Sequence, residues 1–170
     1  GAAWGPPVNV LTDMVSFPFR AELAGVPRNN ALWREISDYA QIHFPNPGVS
    51  FADAHSALAH AMAGNDTALQ TLRETTNGFA ADQVRTLSEA FRAFAAGDWQ
   101  RVIDDLVPLM SSHERLGGSN AQRDLIEFAF VHALLQQGKV EEATRLLAMR
   151  RPRLTSDGLP PSLRLREKTA

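Results

Sequence analysis

The sequence predicts an all-α chain of stacked antiparallel helix pairs, and three observations predict it. Strand signals are nearly absent. Apolar stripes of helical period recur, most clearly at Trp99, Val102, Ile103, Leu106 and Met110, which share one face after an Asp98 N-cap. A phrase also repeats: a helix end rich in small residues, a glycine, then a new amphipathic helix, centred on Gly25, Gly64, Gly97 and Gly138 at spacings of 39, 33 and 41 residues. Each glycine is placed to close its helix in the left-handed conformation. An apolar position follows five residues on at Leu69, Val102 and Ala143, and is shifted by one to Ala31 in the first repeat. A period near about 34 residues, with an alanine-rich first helix, a glycine turn and a second helix, is the tetratricopeptide pattern. One helix pair cannot bury its apolar face alone, so neighbouring pairs must stack.

In chain order, residues 1–9 read as a segment outside the fold, disordered or left over from processing or cloning, since the chain begins with Gly1 rather than Met. A helical-repeat domain follows over 10–150, with helices expected at about 10–24, 30–43, 51–63, 66–76, 81–96, 98–110, 120–137 and 139–150. Pro18 falls inside the first helix and is expected to kink it. Ser50 and Asp53 match a capping box at the start of the third, with Val49 and Ala54 spaced for a hydrophobic staple. In the seventh, Leu125, Phe128, Ala129, His132 and Leu135 form one face, while Ile126, Phe130, Ala133 and Leu134 form a second. Such a helix has to be covered on two sides. Pro152 ends the last helix, and a basic tail over 151–170 leaves room for one short helix, Ser162 to Glu167, after Pro160-Pro161.

The 170 residues are 44% hydrophobic, carry 17 Lys+Arg against 19 Asp+Glu, and include no cysteine. A core of adequate size is available without a disulfide or metal staple. Thiol catalysis, Cys-ligated zinc and disulfide bridging are excluded, and a cytoplasmic setting is the expectation. No run approaches the roughly eighteen apolar residues of a membrane helix, and the first residues lack the charged and apolar blocks of a signal peptide. No membrane contact is expected. The charge is uneven: 145–170 carry seven basic and two acidic side chains. Arg150, Arg151 and Arg153 could make a polybasic contact, but they also answer a helix dipole, and no aromatic residue accompanies them to stack on bases. Nucleic acid is therefore not an expected partner.

Specific phrases go beyond a generic repeat. The segment Gly117-Gly118-Ser119-Asn120-Ala121-Gln122-Arg123-Asp124 resembles the Gly-Gly-Ser-His-Ala-Gln-Arg-Asp signature of the tetratricopeptide repeat protein 38 family. Phe51-Ala52-Asp53-Ala54-His55, followed by Ala63-Gly64, is similar to that family's Phe-x-Asp-x-His segment. Leu11-Thr12-Asp13 through Gly25 resembles its Leu-x-Asp-Ala-Ser helix, with Met14 and Val15 in place of Ala-Ser. The likeness spans about 11–166 and looks like the C-terminal part of longer family members. It implies a tetratricopeptide-like right-handed superhelix in a mostly cytosolic family, and no established reaction. Asn120 stands where the family motif has His, so no acid–base role carries over, because an amide does not titrate near neutral pH.

Two constellations could carry chemistry. Asp53 and His55 admit a cap with a buried, hydrogen-bonded histidine, or a ligand-facing site formed with a neighbouring helix, since two residues apart they face different ways. The Gly117–Asp124 segment admits a second capping box, Ser119 with Gln122, on a glycine turn. The same geometry offers backbone N–H groups beside Arg123 to a carboxylate or phosphate, and Arg123 or Asp124 could equally serve an interhelical ion pair. Metal binding is disfavoured: among His43, His55, His60, His113 and His132 no two lie three or four apart. His132 sits on an apolar stripe and reads as a core histidine. Ser111-Ser112-His113 is a weak signal for hydrolysis. No phosphate loop, dinucleotide fingerprint or nucleophile elbow is present, and no cofactor is expected.

The leading expectation is a non-catalytic module that binds a protein or peptide in a concave groove lined by the first helix of each pair. That expectation nominates Asp53, His55, His60, Arg85, Arg92, Ser119, Asn120, Gln122, Arg123 and Asp124. The alternative is a small-ligand-binding protein or enzyme with a site near Asp53, His55 and Arg123. A third expectation concerns assembly. Phe17, Phe19, Leu32 and Trp33 would form an uncapped apolar end on the first repeat, to be covered by a second copy or by a missing N-terminal part.

Overall fold

Four glycines set the layout. In the computed structural model, which describes residues 7–149 and only the backbone of 120–122, Gly25, Gly64, Gly97 and Gly138 have φ of 96°, 68°, 75° and 72°. At each, the glycine N–H donates to the carbonyl three residues back. The next N–H donates to the carbonyl five back, Val26 to Ala21 at 3.0 Å and Asn65 to His60, Asp98 to Ala93 and Lys139 to Leu134 at 2.9 Å. This is the Schellman closure, which needs a residue tolerant of positive φ. The repeated phrase is therefore one backbone motif used four times, and after two of its copies Asn65 and Asp98 cap the next helix through their side chains.

The described residues form eight helices and no strand: α1 (Pro7–Leu23), α2 (Asn30–His43), α3 (Ser50–Ala63), α4 (Asp66–Thr75), α5 (Ala81–Ala96), α6 (Trp99–Leu106), α7 (Asn120–Gln136) and α8 (Val140–Met149), with a 3-10 turn at His113–Leu116. None is long and apolar enough to cross a membrane. Two departures from expectation have local causes. Helix α1 starts at Pro7, inside the segment expected to lie outside the fold, because proline is well suited to a first helical position where its missing N–H costs nothing. It then runs on through Pro18, whose ring is buried. Helix α6 stops at Leu106 rather than near 110 because Pro108 cannot continue the ladder. The basic tail, with Arg150, Arg151, Arg153 and the segment Ser162 to Glu167, lies outside the described residues.

Helix α3 is the hub. Every residue from Ala52 to Met62 is buried, and α1, α2, α4 and α5 all pack against it. Alanine at 52, 54, 57, 59 and 61 makes this possible by letting neighbouring backbones approach on all sides. Beyond α3 the order is sequential, α5 on α6, α6 on α7, α7 on α8. Both faces read for α7 are covered: Leu125, Ile126, Phe128, Ala129, Phe130, Ala133 and Leu134 are all buried.

Helix α7 also reaches α1. Arg20 Nη2 lies 3.8 Å from Asp124 Oδ2, and the same guanidinium stands 5.7 Å from the Phe128 ring centre. Phe19 packs on Phe94 at 5.3 Å, and Phe94, Trp99 and His132 surround one another at 5.1–5.5 Å. The region where α1, α5, α6 and α7 meet is thus filled by the chain's own aromatic side chains. The expected apolar end does not form as one patch: Phe19 and Trp33 are wholly buried, Leu32 is half-buried, and of the four only Phe17 is exposed. The Trp33 indole N–H donates to Glu22. Glu22 also holds Arg28 at 3.0 Å, and Arg28 donates to the Ala95 carbonyl at 3.2 Å, which pins the first turn to the end of α5.

At Gly64 an added Cβ would meet nothing within 4 Å, so the cost of Gly64→Ala is that of the backbone conformation alone, about 1 kcal/mol. Urea denaturation should show this loss, and a smaller one for Gly64→Asn, because asparagine tolerates the left-handed region better.

Candidate binding cleft

The last turn of α2, the loop after it, α3 and α4 enclose a cleft of about 250 Å³. Its walls are Phe44, Pro45, Pro47, Ala68 and Leu72. Its rim carries Gln41, Asn65 and the threonines 67, 71 and 75, which recur every four residues along α4. Two polar side chains from α3, Ser56 and His60, complete the lining although they are only 3% and 4% exposed. None of these lining side chains carries a full charge at neutral pH.

Hydrogen bonds fix the protonation of His60. Asn65 Oδ1 accepts from the Ala68 N–H at 3.1 Å as the N-cap of α4, so its amide nitrogen points the other way. That nitrogen donates to Ser37 Oγ at 3.2 Å and to Gln41 Oε1 at 2.9 Å. Among the described residues His60 Nδ1, 2.8 Å away, is the one acceptor in reach of the Ser37 hydroxyl, so Ser37 turns its O–H to it. Nδ1 is then the acceptor, and the ring proton resides on Nε2, which has no protein partner. Burial pushes the His60 pKa down to about 4, with exposed Asp38 opposing in part, so the ring is neutral. Ser56 Oγ is also without a hydrogen-bond partner and is closed to water.

The loop of the cleft is anchored by Asp53. Its Oδ2 accepts from the Gly48 N–H at 2.9 Å, and Asn77 Nδ2 holds the Pro47 carbonyl at 3.0 Å. The expected capping box is not built: Val49 is the N-cap, Ser50 is already helical, and no side chain caps the helix. The box therefore falls one residue out of register. Burial raises the Asp53 pKa to about 6, with the Gly48 hydrogen bond opposing.

The other nominated residues disperse. His55 is in the core, its Nδ1 donating to the Phe51 carbonyl at 2.6 Å and its Nε2 buried without a partner. Burial, more than the nearby charges of Arg20 and Asp13, holds its pKa below the ordinary value. Arg85 donates to the Arg73 and Thr76 carbonyls at 3.3 and 3.0 Å, closing the C-terminus of α4 rather than facing a groove. Arg92 pairs with Glu89, which also holds Arg73 of α4. Ser119 is exposed and its carbonyl accepts from the Arg123 N–H at 3.1 Å. Arg123 Nη1 donates to the Gly118 carbonyl at 3.0 Å, folding back on its own turn. Asp124 makes the interhelical ion pair, with Arg20. The side chains of Asn120 and Gln122 lie outside the described residues.

Asp53, His55 and Arg123 thus do not share the cleft. Among the described residues His55 is linked to the start of α7 through the charge of Arg20, and Asp53 lies behind the lining, holding the loop after α2 through Gly48. Nor do Ser111 and Ser112 pair with His113: Ser111 donates to the Pro108 carbonyl at 3.2 Å, and Ser112 accepts from Gln83. His113 faces Glu127 at 3.4 Å, which raises its pKa. Among the described residues no group of three His, Cys, Asp or Glu is placed to hold a metal. Of the cleft, only His60 was nominated from sequence. The rest was missed, and the signals that could have found it are the threonines every four residues along α4 and a serine inside an alanine-rich helix.

No protein-family pattern matches the chain, and no solved structure matches it.

Burial of His60 and Asp53 gives opposite pH slopes. For His60 the unfolded chain binds more protons between the ordinary value of 6.5 and about 4, so stability is full above 6.5 and declines as pH falls toward 4. For Asp53 the folded chain binds more protons between 3.8 and about 6, so a cost appears as pH rises through that window and is complete above it. Denaturation midpoints measured across both windows should show His60→Gln with a flatter acid limb. Asp53→Asn should gain stability, relative to the parent, as the pH rises from 3.8 to about 6 and no further above it.

Proposed function

We propose that the chain is a non-catalytic binding module of tetratricopeptide-like helix pairs, arranged as a right-handed superhelix, and that it holds a segment of a protein or peptide partner in the cleft among α2, α3 and α4. The observation that carries this reading is a cleft with apolar walls whose floor bears two buried polar side chains, Ser56 with an unpartnered hydroxyl and His60 with one ring nitrogen beyond its Ser37 bond. Buried polar groups without partners are uncommon, and their placement at a cleft is a mark of recognition. The volume of about 250 Å³ is below the roughly 300–1,000 Å³ of sites for drug-sized ligands, which favours one or two residues of a peptide over a large cofactor.

The sequential packing of the pairs and their shared Schellman closures support the tetratricopeptide-like arrangement. The resemblance to the tetratricopeptide repeat protein 38 family belongs to the same proposal. A concave inner groove finds less support, because the Phe19, Phe94, Trp99 and His132 cluster and the Arg20–Asp124 pair occupy the region where α1, α5 and α7 approach one another. None of Asp53, His55 and Arg123, the residues of the alternative enzymatic reading, lines this cleft.

Thr71 is exposed on α4 and lines the cleft, so Thr71→Trp should fill it with little effect on folding. In NMR titrations with peptide pools, binding peptides should shift the amides of Gln41, Thr67 and Thr71, and Thr71→Trp should weaken them at least about tenfold, the equivalent of one or two lost contacts. Peptides that bind Thr71→Trp as well as the parent, and shift Arg20 and Phe128 instead, would return the function to the inner side.

A further inference from the structure

The chemistry of the cleft floor specifies its ligand more closely. Ser56 and His60 are four residues apart on α3, so their side chains rise from one face with Cβ atoms about 5–6 Å apart. His60 presents an N–H at Nε2, because Ser37 occupies Nδ1. Ser56 carries a hydroxyl with no acceptor among the described residues, closed to water in its present rotamer, and it reaches a ligand in the cleft by turning about χ1. The floor is therefore a pair of donors.

The surroundings decide what charge the acceptor can bear. None of the described lining side chains is a cation that would neutralise an anion, and the carboxylate acting on His60, Asp38, would repel one. A cation would meet a floor donor and find no carboxylate lining the cleft. Taking either ion out of water without a partner costs several kcal/mol, whereas a carbonyl exchanges one water hydrogen bond for one or two from the protein.

Resting on the proposed cleft, we infer that its floor is a seat for one uncharged carbonyl, that of a peptide bond or a neutral amide, held by His60 Nε2–H and Ser56 Oγ–H. The carbonyl accepts from both donors. The apolar substituents beside it lie against Phe44, Pro45 and Leu72. The Ser56 hydroxyl, idle in the free protein, acquires its acceptor only when the seat is filled.

The probes are N-acetylalanine methylamide, acetate and ethylammonium, titrated into the full chain while the ring resonances of His60 and the amides of the cleft are followed by NMR. The neutral amide is expected to shift His60 and the cleft amides, and the two ions to leave them in place. Ser56→Ala deletes a hydroxyl that supports nothing in the free protein. It should keep or raise the melting temperature and weaken the amide about three- to tenfold, the usual worth of one neutral hydrogen bond. A short uncharged peptide that binds more tightly than the methylamide, with the same loss in Ser56→Ala, identifies a peptide bond as the carbonyl's source. Equal tightness identifies a free amide, and either result supports the seat. Amide binding to Ser56→Ala at parental affinity, or acetate binding as well as the amide, overturns the seat and leaves the cleft standing. Shifts confined to α1 and α7, or no shift with any probe, overturn the seat and the cleft together.

Discussion

Helix α3 has almost no face on water, and the rest of the molecule is arranged around that constraint. A helix buried from Ala52 to Met62 can be surrounded only if its side chains are small, which the alternating alanines provide, and only if each polar group it carries is given a place. Asp53 is given to the Gly48 loop, His60 to Ser37, and His55 to its own Phe51 carbonyl through Nδ1. Two buried side-chain atoms of this helix are left without a partner, Ser56 Oγ and His55 Nε2. An unmet hydrogen bond in a dry interior costs about 1–3 kcal/mol, so a helix that leaves two gives up stability that packing must supply. Ser56 lines the cleft described along α3 beside His60, while His55 lies in the core away from it. That division separates the floor of the proposed site from a plain structural cost.

Much of this was legible in the sequence because backbone chemistry is local. A glycine after an alanine-rich helix end specifies its own closure, and four such glycines specified four closures and, through them, the helix boundaries. The failures were equally local. Pro108 ends α6, but the apolar stripe running through it to Met110 masked the break. Ser50 and Asp53 have the spacing of a capping box, yet the register of a cap depends on where the incoming loop delivers the chain, and Gly48 delivers Val49 to the cap position. Spacing alone carries no information about that delivery.

The site was less legible for a different reason. The first helix of a repeat pair is expected to face an inner groove, and on that rule His60, Arg85 and Arg92 were grouped together. In an alanine-rich hub every face meets another helix, so the rule loses its meaning for α3. For α5 the two arginines lie seven residues apart, Arg85 serving the carbonyls at the end of α4 and Arg92 serving Glu89 of its own helix, which in turn holds Arg73 of α4. Helices α1 and α7 meanwhile meet each other, with Arg20 beside Asp124 and Phe128. No local pattern announces a contact between residues a hundred positions apart. It emerges only from the packing of helices distant in the chain.

The cleft also shows how one capping choice sets the hydrogen-bonding character of its floor. Asparagine at position 65 has two ends, and the Ala68 N–H takes the oxygen. The amide nitrogen must then face Ser37, the Ser37 hydroxyl must face His60, and the imidazole must carry its proton on the side away from the core. An aspartate at the same position would cap α4 equally well, but it would offer Ser37 a second acceptor in place of a donor. Ser37 would then spend its proton on the carboxylate and accept from His60 Nδ1–H, so the neutral ring would show an acceptor to the cleft instead of a donor. The two residues are interchangeable for helix stability and opposite for the ligand, which makes Asn65 the point at which the repeat's architecture and its chemistry are joined.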